Sequence, residues 1–146
     1  MDFVKPFYVG LAAIIEKDNH FLILKRSSKK DFAPNTWEPV TGRLERDENP
    51  ENGVLREIKE ELGIKAQIVM PVDTSCFYRG GQKFPMVFIY YWLNYLGGEV
   101  RLSWEHSEYK WVTLDEALEE STLEHFHEEF QRIIKLKKHL PKEFIL

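Results

Sequence analysis

The sequence predicts an α/β fold in which helices cover a sheet. Three observations carry that expectation. Apolar runs rich in β-branched and aromatic residues are bounded by turn residues. Three segments carry helix-start signals. The two kinds of segment interleave along the chain. With 146 residues, 43% apolar and 30% charged, the chain suits one soluble domain, residues 1–146, with a single substantial core.

Residues 7–16 and 21–26 read as two strands joined by a turn at Asp18-Asn19. Lys5 precedes the apolar run FYVGLAAII, which is as long as a signal-peptide core. Glu16, Lys17 and Asp18 follow it instead of a small-residue cleavage site, so a first strand is the better reading. The polar stretch SSKKDFAPNT, residues 27–36, reads as a loop, and Trp37 to Leu44 as short extended pieces around Gly42.

The first helix is expected over residues 50–62. Asn49 is its N-cap, Pro50 occupies the first turn where a missing N–H costs nothing, and Gly63 is a left-handed cap. Gly53 falls inside it, at a cost of about 1 kcal/mol against alanine, which points to close backbone packing there. Residues 64–72 (IKAQIVMPV) read as a strand, and 84–96 (FPMVFIYYWLNYL) as a long strand buried on both faces. Gly97-Gly98 makes a turn before two short strands, VRLSW (100–104) and YKWV (109–112). Capping boxes at Thr113–Glu116 and Ser121–Glu124 open a short helix and a longer one. Leu123, Phe126, Phe130, Ile133, Ile134 and Leu140 give the longer helix an apolar stripe of core type, and Pro141 ends it.

The formal net charge is −4. That argues against a protein built to grip a duplex nucleic acid, and leaves room for a small anionic substrate if a metal or local bases offset the repulsion. No apolar run approaches the roughly 18 residues of a membrane span. The one cysteine, Cys76, cannot form an internal disulfide and fits a reducing cytoplasm.

Residues 56–63 read REIKEELG. At about 100° per residue, Leu55, Ile58 and Leu62 share one arc, which should face the core. Glu57, Glu60 and Glu61 share another, with Lys59 turned away and no basic residue expected on the acidic arc. Like charges at this spacing cost about 0.2–0.5 kcal/mol per pair. Alone, such a face is most often simply solvated. Convergent carboxylates are also the hard oxygen ligands that Mg²⁺ or Mn²⁺ prefers.

The surrounding residues decide between these readings. GRLERDENPENGVLREIKEELGI, from Gly42 to Ile64, resembles the Nudix box: Gly42, Glu48, Arg56, Glu57, Ile58, Glu60, Glu61, Gly63 and Ile64 all match. The resemblance implies a Nudix α/β/α sandwich with a mixed central sheet, and a loop–helix–loop that binds divalent metal. It implies hydrolysis of a nucleoside diphosphate linked to another group. Glu57, Glu60 and Glu61 are the implied metal ligands, with the backbone carbonyl of Thr41. Glu48 is implied to hold Arg56, and Gly42 to allow a sharp backbone turn. Val40-Thr41-Gly42 departs from the commoner Pro-Gly-Gly and looks like the dihydroneopterin triphosphate pyrophosphohydrolase branch.

In SWEHSEYKWV, which resembles a segment of that branch, Glu105 is the expected fourth ligand or general base, and His106 a weaker candidate. Glu57, Glu61 and Glu105 all remain open as the base. Arg26 matches a phosphate-contacting position of the family, and Arg43 flanks the box glycine. Arg79 and Lys83 lie beside Gly80-Gly81, and Trp37, Phe77, Tyr78 and Phe84 are aromatic candidates for stacking on a base. The implied substrate is a nucleoside or pterin triphosphate, cut to monophosphate and pyrophosphate. Dinucleoside polyphosphates, nucleotide sugars and RNA 5′-triphosphate ends are alternatives. A non-catalytic nucleotide sensor is a different class, and would be expected to have lost box carboxylates. A homodimer is a family-level expectation.

Overall fold

The computed structural model describes residues 5–144. Seven strands form one mixed sheet: β1 (Tyr8–Lys17), β2 (His20–Arg26), β3 (Trp37–Glu38), β4 (Val40–Arg43), β5 (Lys65–Phe77), β6 (Met86–Gly97) and β7 (His106–Thr113). Its order is β3-β2-β1-β6-β5, with β4 paired to β1 and β7 to β2. β1 and β6 run parallel over Tyr8–Glu16, and the other pairs are antiparallel. The β1–β2 turn holds Asp18 and Asn19 at φ 50° and 62°, the left-handed pair that a two-residue hairpin requires.

Alternation along β1 builds two hydrophobic layers. Leu11, Ala13 and Ile15 point to the side covered by α1 (Pro50–Leu62), where Val54, Ile58 and Leu62 meet them. Ala12 and Ile14 point to the opposite side, covered by α2 (Leu114–Glu119) and α3 (His127–His139) through Ala117, Phe130 and Ile133. The result is an α/β/α sandwich.

Helix α1 starts and stops as its sequence predicts. The Asn49 side chain accepts from the Glu51 amide at 3.0 Å, and Gly63 ends the helix at φ 69°. Leu55 does not face the core as expected: it is exposed, and Val54 takes the inward position. Gly53 is tight, since a Cβ there would lie 2.8 Å from both Leu11 Cδ1 and Glu48 Oε1.

Three other expectations are corrected. The strand expected over residues 64–72 does not stop at Val72 but runs over Lys65–Phe77, with register shifts on both sides of Pro71 that absorb its missing donor. VRLSW forms no strand. Its backbone serves α1 instead: the Arg101 amide donates to the Leu62 carbonyl at 2.9 Å, while Val100 and Leu102 pack on the α1 layer. The longer C-terminal helix is not opened by a Ser121–Glu124 box. A 3₁₀ segment, Ser121–Phe126, precedes α3, and the Glu120 side chain caps it through the Thr122 amide at 3.1 Å. The hydroxyl of Thr122 donates to the same Glu120 carboxylate at 2.9 Å and accepts from the Trp37 amide at 3.0 Å. The Thr113–Glu116 box forms as read, with both reciprocal hydrogen bonds present.

Candidate active site

Where α1 leaves the sheet, β4, the end of β2, the start of β7 and the β5–β6 loop surround a cavity of about 290 Å³. Its acidic wall begins on α1. Glu57 projects across Gly42, so closely that a Cβ at residue 42 would sit 2.1 Å from the Glu57 carboxyl carbon. Gly42 lies inside β4 without a positive φ. Its role is therefore to leave space for Glu57, not to permit the sharp turn expected of it.

Arg56 is the hub of the box. Its Nε and Nη2 donate to the two oxygens of Glu48 at 2.6 and 2.9 Å, a bidentate pair. Nη1 donates to Glu57 at 2.9 Å and Glu60 at 3.2 Å, and Nη2 also reaches the Arg43 carbonyl at 3.1 Å. The expected Glu48–Arg56 pairing is present. The expectation that no base relieves the acidic arc is not met, because Arg56 folds back over it. Its hydrogen bonds pull the Glu48 carboxyl down to about 2.

The helix glutamates divide. Glu57 and Glu61 line the cavity, whereas Glu60 lies outside its lining with a side chain 59% exposed. Glu61 is buried, and its Oε2 has no hydrogen-bond partner. Burial first, then the charges of Glu57, Glu105 and Glu38, push its carboxyl up to about 9. Burial also raises Glu57, against the opposing pull of Arg56. Glu105 arrives from the turn before β7, and ligating atoms of Glu61, Glu105 and His106 lie within 4.8 Å of one another. A buried orphan oxygen among carboxylates is the chemistry of a hard-cation site, so these residues fit a divalent ion.

Glu38 was not singled out by sequence. It is buried between Arg26 Nη1, at 3.1 and 3.3 Å, and His106 Nε2 at 2.9 Å, and it accepts from the Thr41 hydroxyl at 3.3 Å. The available signal was a glutamate between Trp37 and Pro39 in an extended piece. Its partners, however, lie 12 and 68 residues away. His106, the weaker candidate, is buried at the centre of this arrangement.

The basic wall holds Arg26, Lys30, Arg43 and Arg79. Arg26 is bound to Glu38 and to the Phe32 carbonyl, at 2.9 Å from its Nε. Lys30 lies 3.3 Å from Glu105. Trp37 is a correction. It does not line the cavity, because β3 alternation turns it to the face opposite Glu38, under the ammonium groups of Lys25 and Lys110. Phe77, Tyr78 and Phe84 are also absent from the lining, although Phe77 stacks on Phe88, which is present.

A sandwich of this topology, carrying a glycine-braced helix of carboxylates tied down by Glu48 and Arg56, defines a class. The family model for the NUDIX domain matches residues 5–132. The chain belongs to that family. Over 116 residues it is 34% identical to the asymmetrical bis(5′-nucleosyl)-tetraphosphatase of Caenorhabditis elegans, covering 76% of this chain and 77% of that protein. It is 41% identical over 58 residues to the CTP pyrophosphohydrolase of Escherichia coli, which is 40% of this chain and 42% of that protein. The match thus spans under half of that relative's length. Among solved structures it resembles the MutT protein of Methanosarcina mazei, with TM-score 0.77 and 30% identity, covering 94% of this chain and 99% of that one.

Proposed function

We propose that this protein is a divalent-metal-dependent pyrophosphohydrolase that cuts a nucleoside or pterin triphosphate to monophosphate and pyrophosphate. One observation carries the reading: a single cavity sets Glu57, Glu61 and Glu105 against Arg43, Arg79 and Lys30. That arrangement suits a polyanion bridged by cations. Glu57, Glu61 and Glu105 would hold Mg²⁺ or Mn²⁺ with the Thr41 carbonyl as a further donor, and Glu60, the other ligand that the family box implies, would have to turn inward from its exposed position to join them. The bound ion supplies charge neutralisation and acidifies water. The protein residues do the rest. The basic wall orients the phosphate chain for in-line attack. Glu57, Glu61 or Glu105 takes the proton of the attacking water. Arg56 and Glu48 keep Glu57 in place.

A second substrate reading has its own support. The C. elegans relative, matched over most of its length, is named for cleaving a dinucleoside tetraphosphate, and the same cavity chemistry serves that bond. Incubation with Mg²⁺ and a panel of nucleoside triphosphates, dihydroneopterin triphosphate, diadenosine polyphosphates and nucleotide sugars, with products resolved, tests both. The expected products are a monophosphate with pyrophosphate, or a nucleoside triphosphate with a nucleoside monophosphate from a dinucleoside tetraphosphate. Absence of turnover on every substrate, or undiminished turnover in Glu61→Gln, overturns the enzymatic reading.

A further inference from the structure

A second cavity of about 600 Å³ opens beside the first, and Arg26, Lys30, Arg43 and Arg79 form part of both walls. Its chemistry differs. Among the described residues, no glutamate lines it, Asp31 is its one acid against five bases, and the exposed rings of Phe32 and Trp104 complete it. Two of those bases are already committed, Arg26 to Glu38 and Lys30 to Glu105. Arg43 and Arg79 are not. Among the described residues, no carboxylate comes within ion-pair distance of either.

Each is held against an aromatic ring instead. The Arg43 guanidinium lies 4.3 Å from the Tyr8 ring centre, and that of Arg79 lies 4.3 Å from the Phe32 ring centre. Stacking fixes a guanidinium by its face and leaves its edge N–H groups for an anion. The backbone supports the same arrangement. Gly80, at φ 54°, lets the β5–β6 loop close onto the Phe32 ring, and a Cβ there would lie 3.4 Å from it. Arg43 is anchored to the box through its carbonyl and Arg56. Burial, together with the charges of Arg26 and Arg43, depresses the Arg79 pKa, as expected where positive charges gather uncompensated.

We propose that Arg43 and Arg79 form a second anion subsite for the far phosphates of a substrate carrying three or more phosphates, with Phe32 as the positioning residue for Arg79. The proposal rests on the phosphoanhydride-hydrolase reading and narrows it. Both guanidinium groups stand on the wall the two cavities share, so a phosphate chain that runs from the carboxylates into the second cavity passes along them. Nucleoside triphosphates and dinucleoside tetraphosphates are thereby preferred over nucleotide sugars, which have two phosphates.

The test reads binding without turnover. Inorganic tripolyphosphate and pyrophosphate are titrated calorimetrically into the wild type, Arg43→Ala, Arg79→Ala, Arg79→Lys, Phe32→Ala and a remote charge control, Lys138→Ala, in EDTA. Tripolyphosphate should bind more tightly than pyrophosphate. Loss of either arginine should weaken it roughly tenfold or more, the cost of a charge-assisted hydrogen bond. Arg79→Lys should retain part of the affinity, and Phe32→Ala should weaken it without removing a charge. Binding of neither anion, equal binding of both, unchanged affinity in Arg79→Ala, or an equal loss in Lys138→Ala overturns the subsite. Because no hydrolysis is measured, failure here is distinct from failure of the enzymatic reading.

Discussion

Glu61 is the residue whose environment has the clearest consequence. Its folded carboxyl is pushed up to about 9 from an ordinary 4.5. In the folded, metal-free protein it therefore holds a proton that the unfolded chain releases. Its contribution to stability is fully present below pH 4.5 and is lost progressively as pH rises toward about 9. Chemical denaturation of the metal-free protein across that range should show the decline, and Glu61→Gln should flatten it. A slope unchanged by the substitution would show that Glu61 is not its source. Glu38 makes a different prediction. It and Arg26 have side chains only 10% and 7% exposed, so Glu38→Ala leaves a buried guanidinium and His106 without their shared carboxylate. The expected cost is about 3–5 kcal/mol by denaturant unfolding. The residue type at position 61 pointed to its chemistry. Glu38 was illegible because its significance lies in contacts made across the sheet.

At the scale of elements, the box helix and strand β4 form one working unit, and two glycines report on it. Gly42→Ala forces a Cβ into the Glu57 side chain, so it should move that carboxylate while leaving the fold intact. The expected result is a large loss of metal-dependent activity with a stability change of about 1–3 kcal/mol, the usual range for overpacking. Gly53→Ala is the contrast. Helix propensity favours it by about 1 kcal/mol, but the new Cβ meets Leu11 and a Glu48 held by Arg56. Net destabilisation is expected, and a higher melting temperature in Gly53→Ala would refute the packing argument. Element ends were read well where the cap is local, a side chain at Asn49 and Thr113 and the left-handed backbone at Gly63. They were misread where another group took the role: the Glu120 side chain caps the segment assigned to Ser121, and the Arg101 amide serves Leu62 instead of a strand partner.

For the whole molecule, the crowded carboxylates imply coupling between folding and metal. An ion that binds the assembled cluster and not the unfolded chain raises the melting temperature, by an amount that grows with the logarithm of its concentration above Kd. Millimolar Mg²⁺ or Mn²⁺ should shift thermal unfolding upward. Glu57→Gln and Glu61→Gln should shrink that shift, while Lys138→Ala should leave it unchanged. An equal shift in all variants would place the ion elsewhere. The sequence by itself determined the α/β class, the box helix and its caps, the Glu48–Arg56 pairing and the family, because periodicity, capping and a fixed-spacing motif are local and are written in the order of residues. The tertiary structure alone decided which helix glutamates reach the cavity and which arginines stay unpaired. It put Trp37 outside, and joined Glu38, Arg26 and His106. Those facts depend on which groups from distant segments are buried together, and the energy of a charge is set by its neighbours in space, not by its neighbours along the chain.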